Sequence, residues 1–151
     1  MRDLGQQTIR AAGATGPDVR LILRACPRNV AVIRQVFGVI AETLGMDAGS
    51  VGRLKLAVSE AGSNVVLHAY ADGNCGVLEV DALVEDGFLH VIVRDRGDGI
   101  RPRPDSPGLG LGLPLIASVS DGLEINAGAQ RGNEVRISFA RGGRVRACSA
   151  V

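Results

Sequence analysis

From Asp18 to Ala25, Val19, Leu21 and Leu23 alternate with Arg20, Ile22 and Arg24, a period that predicts a first strand. Pro27 marks a change of rhythm. From Arg28 to Leu44 the apolar residues Val30, Ile33, Phe37, Ile40 and Leu44 recur at helical spacing, and Gly45 stops the run. A second helix is predicted from Ala48 to Tyr70, with Val51, Leu54, Val58, Ala61 and Val65 as its apolar stripe and Gly62 as a slight weakness. Two alternating runs follow, Gly76 to Glu85 and Phe88 to Asp95. The Asp86-Gly87 pair between them is a strong hairpin signal and predicts antiparallel pairing.

After a loop over 96–107, the Gly108 to Gly112 segment leads into a short helix through Asp121, with Pro114 in its first turn. Leu123 to Ala127 and Glu134 to Ala140 close the pattern as two further strands. Five strands, mostly in hairpins, and three helices predict an α+β fold. We expect a two-layer sandwich in which helices cover one face of a mixed or mostly antiparallel sheet. A doubly wound sheet requires repeated strand-helix-strand alternation, which this order lacks.

Residues 1–17 and 141–151 carry no sustained period and are expected to be tails flanking one domain over 18–140. A length of 151 residues suits one domain. The net charge of +1 removes the electrostatic case for direct nucleic-acid binding, and the 3% aromatic content leaves little for base stacking. Cys26, Cys75 and Cys148 are far apart, with neither disulfide-framework nor zinc spacing. No apolar run reaches membrane-spanning length. These features lead to the expectation of a cytoplasmic protein with no membrane contact.

Three segments carry candidate chemistry. Glu60 and Asn64 stand four apart on the second helix, hence one turn from each other, at the border of its apolar stripe. A glutamate there is a candidate general base. The Asn64 carboxamide offers a hard oxygen to Mg²⁺, which keeps several waters and is completed by nucleotide phosphates. His68 lies a further turn along and is either a packed helix histidine or a phosphate contact. Asp95 ends a strand with the parity of Leu89, Val91 and Val93, so its carboxylate is predicted on the face beneath the helices. There it requires a donor, such as an adenine exocyclic amine. Gly97 and Gly99 permit close backbone approach. Gly108-Leu109-Gly110-Leu111-Gly112 places bare amides at a helix start, which favours phosphate. It fits neither the dinucleotide fingerprint nor a Gly-Lys-Ser/Thr phosphate loop.

In order, Ser59 to Tyr70, Val93 to Ile100 and Gly108 to Leu113 resemble the ATP-binding boxes of the histidine-kinase-like (GHKL) superfamily of gyrase, histidine kinases and mismatch-repair ATPases. Within it they most resemble the anti-sigma-factor serine/threonine kinase branch. The resemblance implies a Bergerat-type ATP-binding fold using ATP and Mg²⁺. It implies Glu60 as the catalytic base, Asn64 as the magnesium ligand, Asp95 as the adenine contact with Gly97 and Gly99 beside base and ribose, and Gly108, Leu109, Gly110, Leu111 and Gly112 as the lid and phosphate cradle. Its implied partners are an anti-anti-sigma protein and a sigma factor, and its implied assembly is a homodimer. The sequence departs from the family in two places. Ser106 and Pro107 stand where relatives often have an arginine, with Arg101 and Arg103 nearby, and Asn133 stands where they usually have Thr or Ser.

The expected function is therefore an ATP-dependent protein serine/threonine kinase acting as an anti-sigma factor. The alternative is a catalytically weak or inactive ATP-binding interaction module that regulates transcription by partner switching. A histidine-kinase catalytic domain fits less well, because His68 lies in the site helix and His90 in a strand.

Overall fold

The computed structural model describes residues 16–70, 76–97, 112–127 and 132–142. In chain order these form β1 (Val19–Arg24), α1 (Pro27–Thr43), α2 (Ala48–Asn64), a π-helical turn (Val65–Ala69), β2 (Val77–Glu85), β3 (Phe88–Asp95), α3 (Gly112–Val119), β4 (Gly122–Ala127) and β5 (Asn133–Ala140). The strands form one sheet in the order β1-β2-β3-β5-β4, and every neighbouring pair is antiparallel. The expected α+β sandwich is thus observed, with a purely antiparallel sheet.

Each element has a local cause. Pro27 occupies the first turn of α1, where its missing N–H costs nothing. Asp47 caps α2 by accepting from the Ser50 amide at 3.0 Å and the Ser50 hydroxyl at 2.7 Å. Those two bonds, the hydroxyl's first, hold the Asp47 carboxyl below its ordinary value. The β2-β3 hairpin turns on Asp86 and Gly87, with φ of 50° and 81°. Two successive positive φ angles make the turn whose twist matches that of the strands it joins.

One face of the sheet is the core. Leu78, Val80 and Ala82 of β2, Leu89, Val91 and Val93 of β3, and Ile137 and Phe139 of β5 are buried there against Leu54, Ala57, Val58 and Ala61 of α2 and Ile116 of α3. Helix α1 lies on α2, with Ile33 and Phe37 fully buried. Gly62, which reads in the sequence as a weakness, is where the two helices meet. A Cβ there would come within 2.7 Å of Ile33 Cδ1.

The opposite face is polar and includes Asp81, only 1% exposed although it alternates outward. Arg20 clasps its carboxylate with bonds of 2.9 and 3.0 Å, and Arg94 binds Asp81 while also donating to Glu134 at 2.7 Å. Burial alone would raise the Asp81 pKa, but the two guanidinium partners outweigh it and hold the carboxyl below 3.8.

Candidate functional site

An apolar cleft opens between the core face of the sheet and the helices. Val93 and Asp95 at the end of β3, with Asn133 and Val135 at the start of β5, line the sheet side. Ala61, Asn64, Val65, His68 and Ala69 line the side formed by α2 and its π turn, and Leu113 and Ile116 of α3 complete it. A mostly apolar cavity with a few convergent polar groups is the usual form of a small-molecule site.

Asp95 is 7% exposed, and its orientation is held from two sides. Its Oδ1 accepts the Gly97 amide at 2.9 Å, and its Oδ2 faces Asn133 Nδ2 at the longer distance of 3.4 Å. A carboxylate has about four acceptor positions. This one therefore keeps acceptor capacity for a donor in the cleft. The parity reading of Asp95 is met.

Gly97 lies directly against the carbonyl of Ala69, where any Cβ would collide with the oxygen. The glycine is needed for close approach, which brings the exit of β3 against the end of the site helix. At the start of α3, a Cβ on Gly112 would stand 3.0 Å from both Asn64 Nδ2 and Asn64 Oδ1. Bare backbone at Gly112 thus faces the carboxamide. The first turn of an eight-residue helix, with its unpaired N–H groups, adjoins the Asn64 side chain.

The structure brings Asn64 and Asp95 together in the lining of this cleft, whereas Gly97 and Gly112 lie just behind it, against Ala69 and Asn64. Glu60 is half-buried one turn before Asn64 and is not among the lining residues. On the helical wheel it stands about 40° from Asn64 and about 60° on the other side from Ser63. Ser63 and Ser59 line a second groove between α1 and α2, with Arg34, Val30 and the exposed Leu67. Arg34 donates to the Ser59 hydroxyl at 3.2 Å. Glu60 therefore sits between the two concavities. Gly99, Gly108, Leu109, Gly110 and Leu111, together with Arg101, Arg103, Ser106 and Pro107, lie outside the described residues.

The predicted second helix is corrected at its end. The last turn, Val65–Ala69, is π rather than α, and Tyr70 is extended, with φ of −121° and ψ of 138°. Single π turns inside helices occur often at functional sites, and this one carries His68 into the cleft wall. The sequence reading also missed the contact between Asn133 and Asp95. The signal was available in a polar amide at the opening of a strand, Gly132-Asn133-Glu134, where strand propensity is poor.

Among the described residues no group of three or more His, Cys, Asp or Glu side chains could hold a metal, and no helix is long and apolar enough to cross a membrane.

Residues 23–139 match the histidine kinase-like ATPase domain family. The serine-protein kinase RsbW of Bacillus pumilus is 31% identical over 126 residues, which cover 72% of this chain and 78% of that protein. The anti-sigma F factor of Clostridium botulinum (strain Eklund 17B / Type B) is 26% identical over 121 residues, covering 73% and 85%. The crystal structure of the RsbU and RsbW domains of a Mycobacterium tuberculosis protein aligns with a TM-score of 0.63 at 22% identity, over 83% of this chain. This chain spans 33% of that longer one, and the likeness is one of fold. A blue-light-activated histidine kinase domain from Erythrobacter litoralis aligns at a TM-score of 0.52 and 24% identity, over 89% of this chain and 69% of that one. With a family match over residues 23–139 and a serine-protein kinase 31% identical over 126 residues, the chain belongs to the histidine kinase-like ATPases, in their anti-sigma-factor serine-protein kinase branch.

Proposed function

We propose that the protein is an ATP-dependent protein serine/threonine kinase and anti-sigma factor. It transfers a phosphoryl group to a Ser or Thr hydroxyl of an anti-anti-sigma partner, and it sequesters a sigma factor when that partner is phosphorylated. The observation that carries this reading is the convergence on one apolar cleft of a buried carboxylate with acceptor positions to spare and an amide oxygen beside a helix N-terminus. The names of the relatives, serine-protein kinase and anti-sigma F factor, support the same activity.

In this reading the exocyclic amine of adenine donates to Asp95, and the apolar walls from Val93, Val135 and Ile116 cover the base. The phosphates lie toward the start of α3, where unpaired backbone N–H groups favour anions. Magnesium suits the residues present. It takes oxygen donors, retains waters and is completed by phosphates, so the Asn64 carboxamide suffices as its protein ligand. When bound, it neutralises charge on the transferring phosphoryl group. Glu60 accepts the proton of the partner's hydroxyl as that oxygen attacks the γ-phosphorus. The bond to the β–γ bridging oxygen breaks, and ADP leaves. The position of Glu60 between the nucleotide cleft and the α1/α2 groove is consistent with a hydroxyl arriving from a docked protein. The same reading makes the protein a cytoplasmic homodimer.

Incubation with γ-labelled ATP and the anti-anti-sigma protein of the same host tests the proposal. Label appearing on a Ser or Thr of the partner is the expected result. Label retained by the protein without transfer would identify an ATP-binding interaction module instead.

A further inference from the structure

Tyr70 is the chain's single tyrosine, and it stands where the π turn gives way to extended chain. Its hydroxyl accepts the Val77 amide at 2.9 Å and the Arg96 amide at 3.0 Å, and it donates to the Val77 carbonyl. One side-chain oxygen thus joins the end of the site helix, the entry to β2 and the exit of β3. The ring requires clear space: a Cβ on Gly76 would collide with it.

The consequences reach the cleft by short steps. The Arg96 amide that Tyr70 holds belongs to the residue between Asp95 and Gly97. The next amide, Gly97 N–H, is the one that binds Asp95 Oδ1 at 2.9 Å. Gly97 is in turn wedged against the Ala69 carbonyl, the residue before Tyr70. The loop from Asp95 to Gly97 is therefore clamped between the Tyr70 hydroxyl and the Ala69 carbonyl. Its freedom is what would let the Asp95 carboxylate turn away from the cleft.

We propose that Tyr70 is a positioning residue for base recognition, its hydroxyl fixing the Arg96–Gly97 backbone so that Asp95 presents an acceptor to an exocyclic amine. This inference rests on the reading of the cleft as an adenine-nucleotide site. Tyr70 touches no substrate in this scheme and acts through Asp95. A side chain that merely supported the fold would weaken binding of every nucleotide alike, whereas one that orients Asp95 affects only a base bearing the amine.

Calorimetric titration of the full chain with Mg-ATP and with Mg-ITP, whose base has a carbonyl in place of the amine, separates the two. The native protein should prefer ATP. In Tyr70→Phe, ATP affinity should fall about tenfold, the equivalent of one moderate hydrogen bond. ITP affinity should stay within about twofold, so the preference collapses. A native protein that binds no ATP overturns the nucleotide reading itself. Native ATP binding with the same preference in Tyr70→Phe overturns the Tyr70 proposal alone. Should Tyr70→Phe fail to fold, tyrosine labelled with ¹³C at Cζ gives one NMR signal in the native protein. That signal should shift with saturating Mg-ATP and hold still with Mg-ITP. A signal indifferent to ATP overturns the proposal.

Discussion

Asn133 Nδ2 lies 3.4 Å from Asp95 Oδ2, across the gap between the end of β3 and the start of β5. At that distance the bond is weak, and the carboxylate oxygen remains the stronger acceptor for an incoming donor. Asp95→Asn, which removes the charge and half of the acceptor capacity, should weaken ATP binding by about ten- to a hundredfold, since hydrogen bonds to charged groups contribute about 1.5–3 kcal/mol. Asn133→Ala should cost less than about tenfold. Calorimetry with Mg-ATP measures both.

Glu60 stands outside the lining of the cleft, so its removal should leave nucleotide affinity within about threefold. Loss of a general base typically costs about 10²–10⁴ in rate. Glu60→Ala should lower the rate of label transfer to the partner by an amount in that range, measured in single-turnover assays. Transfer at near-native rate would remove Glu60 from the mechanism.

Gly112 faces the Asn64 carboxamide closely, since a Cβ there would stand 3.0 Å from it, tighter than an ordinary contact. Gly112→Ala should displace the carboxamide by a few tenths of an ångström. We expect ATP affinity in the presence of magnesium to fall about tenfold, with a smaller change when the metal is chelated. Parallel titrations with and without chelator make the comparison.

Asp81 and His90 together set an acid limit on stability. Burial, aided by the nearby Arg136 charge, lowers the His90 pKa below 6.5, so the folded state favours neutral imidazole. Its contribution is complete above that value and is lost as pH falls from about 6.5 toward the folded pKa. The Asp81 carboxyl titrates below 3.8 in the fold, so its contribution is present above about pH 4 and is lost as pH falls from there toward the folded pKa. Urea unfolding from pH 8 to about pH 2 should therefore show stability declining in two steps. His90→Gln should remove the upper one.

Removing the Asp81 carboxylate outright is more severe. Asp81→Ala leaves Arg20 and Arg94 with only Glu79 Oε1 between them, at 3.5 and 3.4 Å, and breaking a buried pair costs about 3–5 kcal/mol. The Arg20 and Arg94 side chains keep 48% and 28% of their exposure, so water offsets part of the loss. We expect about 2–3 kcal/mol by urea denaturation.

The elements that follow from local rules were legible before any coordinates. Asp86-Gly87 specifies its turn, and the parity of Leu89, Val91 and Val93 places Asp95 correctly, because alternation in a half-buried strand admits only one register. Asn64 and Glu60 read correctly as helix neighbours. What escaped depends on contacts between distant segments. Asp81 alternates outward and would be read as solvated, yet arginines from two neighbouring strands enclose it. The π turn has no sequence pattern of its own. Tyr70 reads as the end of the site helix and of its motif, with no sign of its hydroxyl's role, because its partners at Val77 and Arg96 come from distant segments.

Strand β3 is the middle strand of five, hydrogen-bonded along both edges, and it carries the acidic residue that lines the cleft. The recognition end of the cavity thus belongs to the slowest-exchanging part of the molecule, whose opening approaches global unfolding in cost. Nucleotide entry and departure must accordingly be accommodated on the helical side. Amide exchange should show ATP protecting α3 and the π turn while leaving Val91 and Val93 almost unchanged.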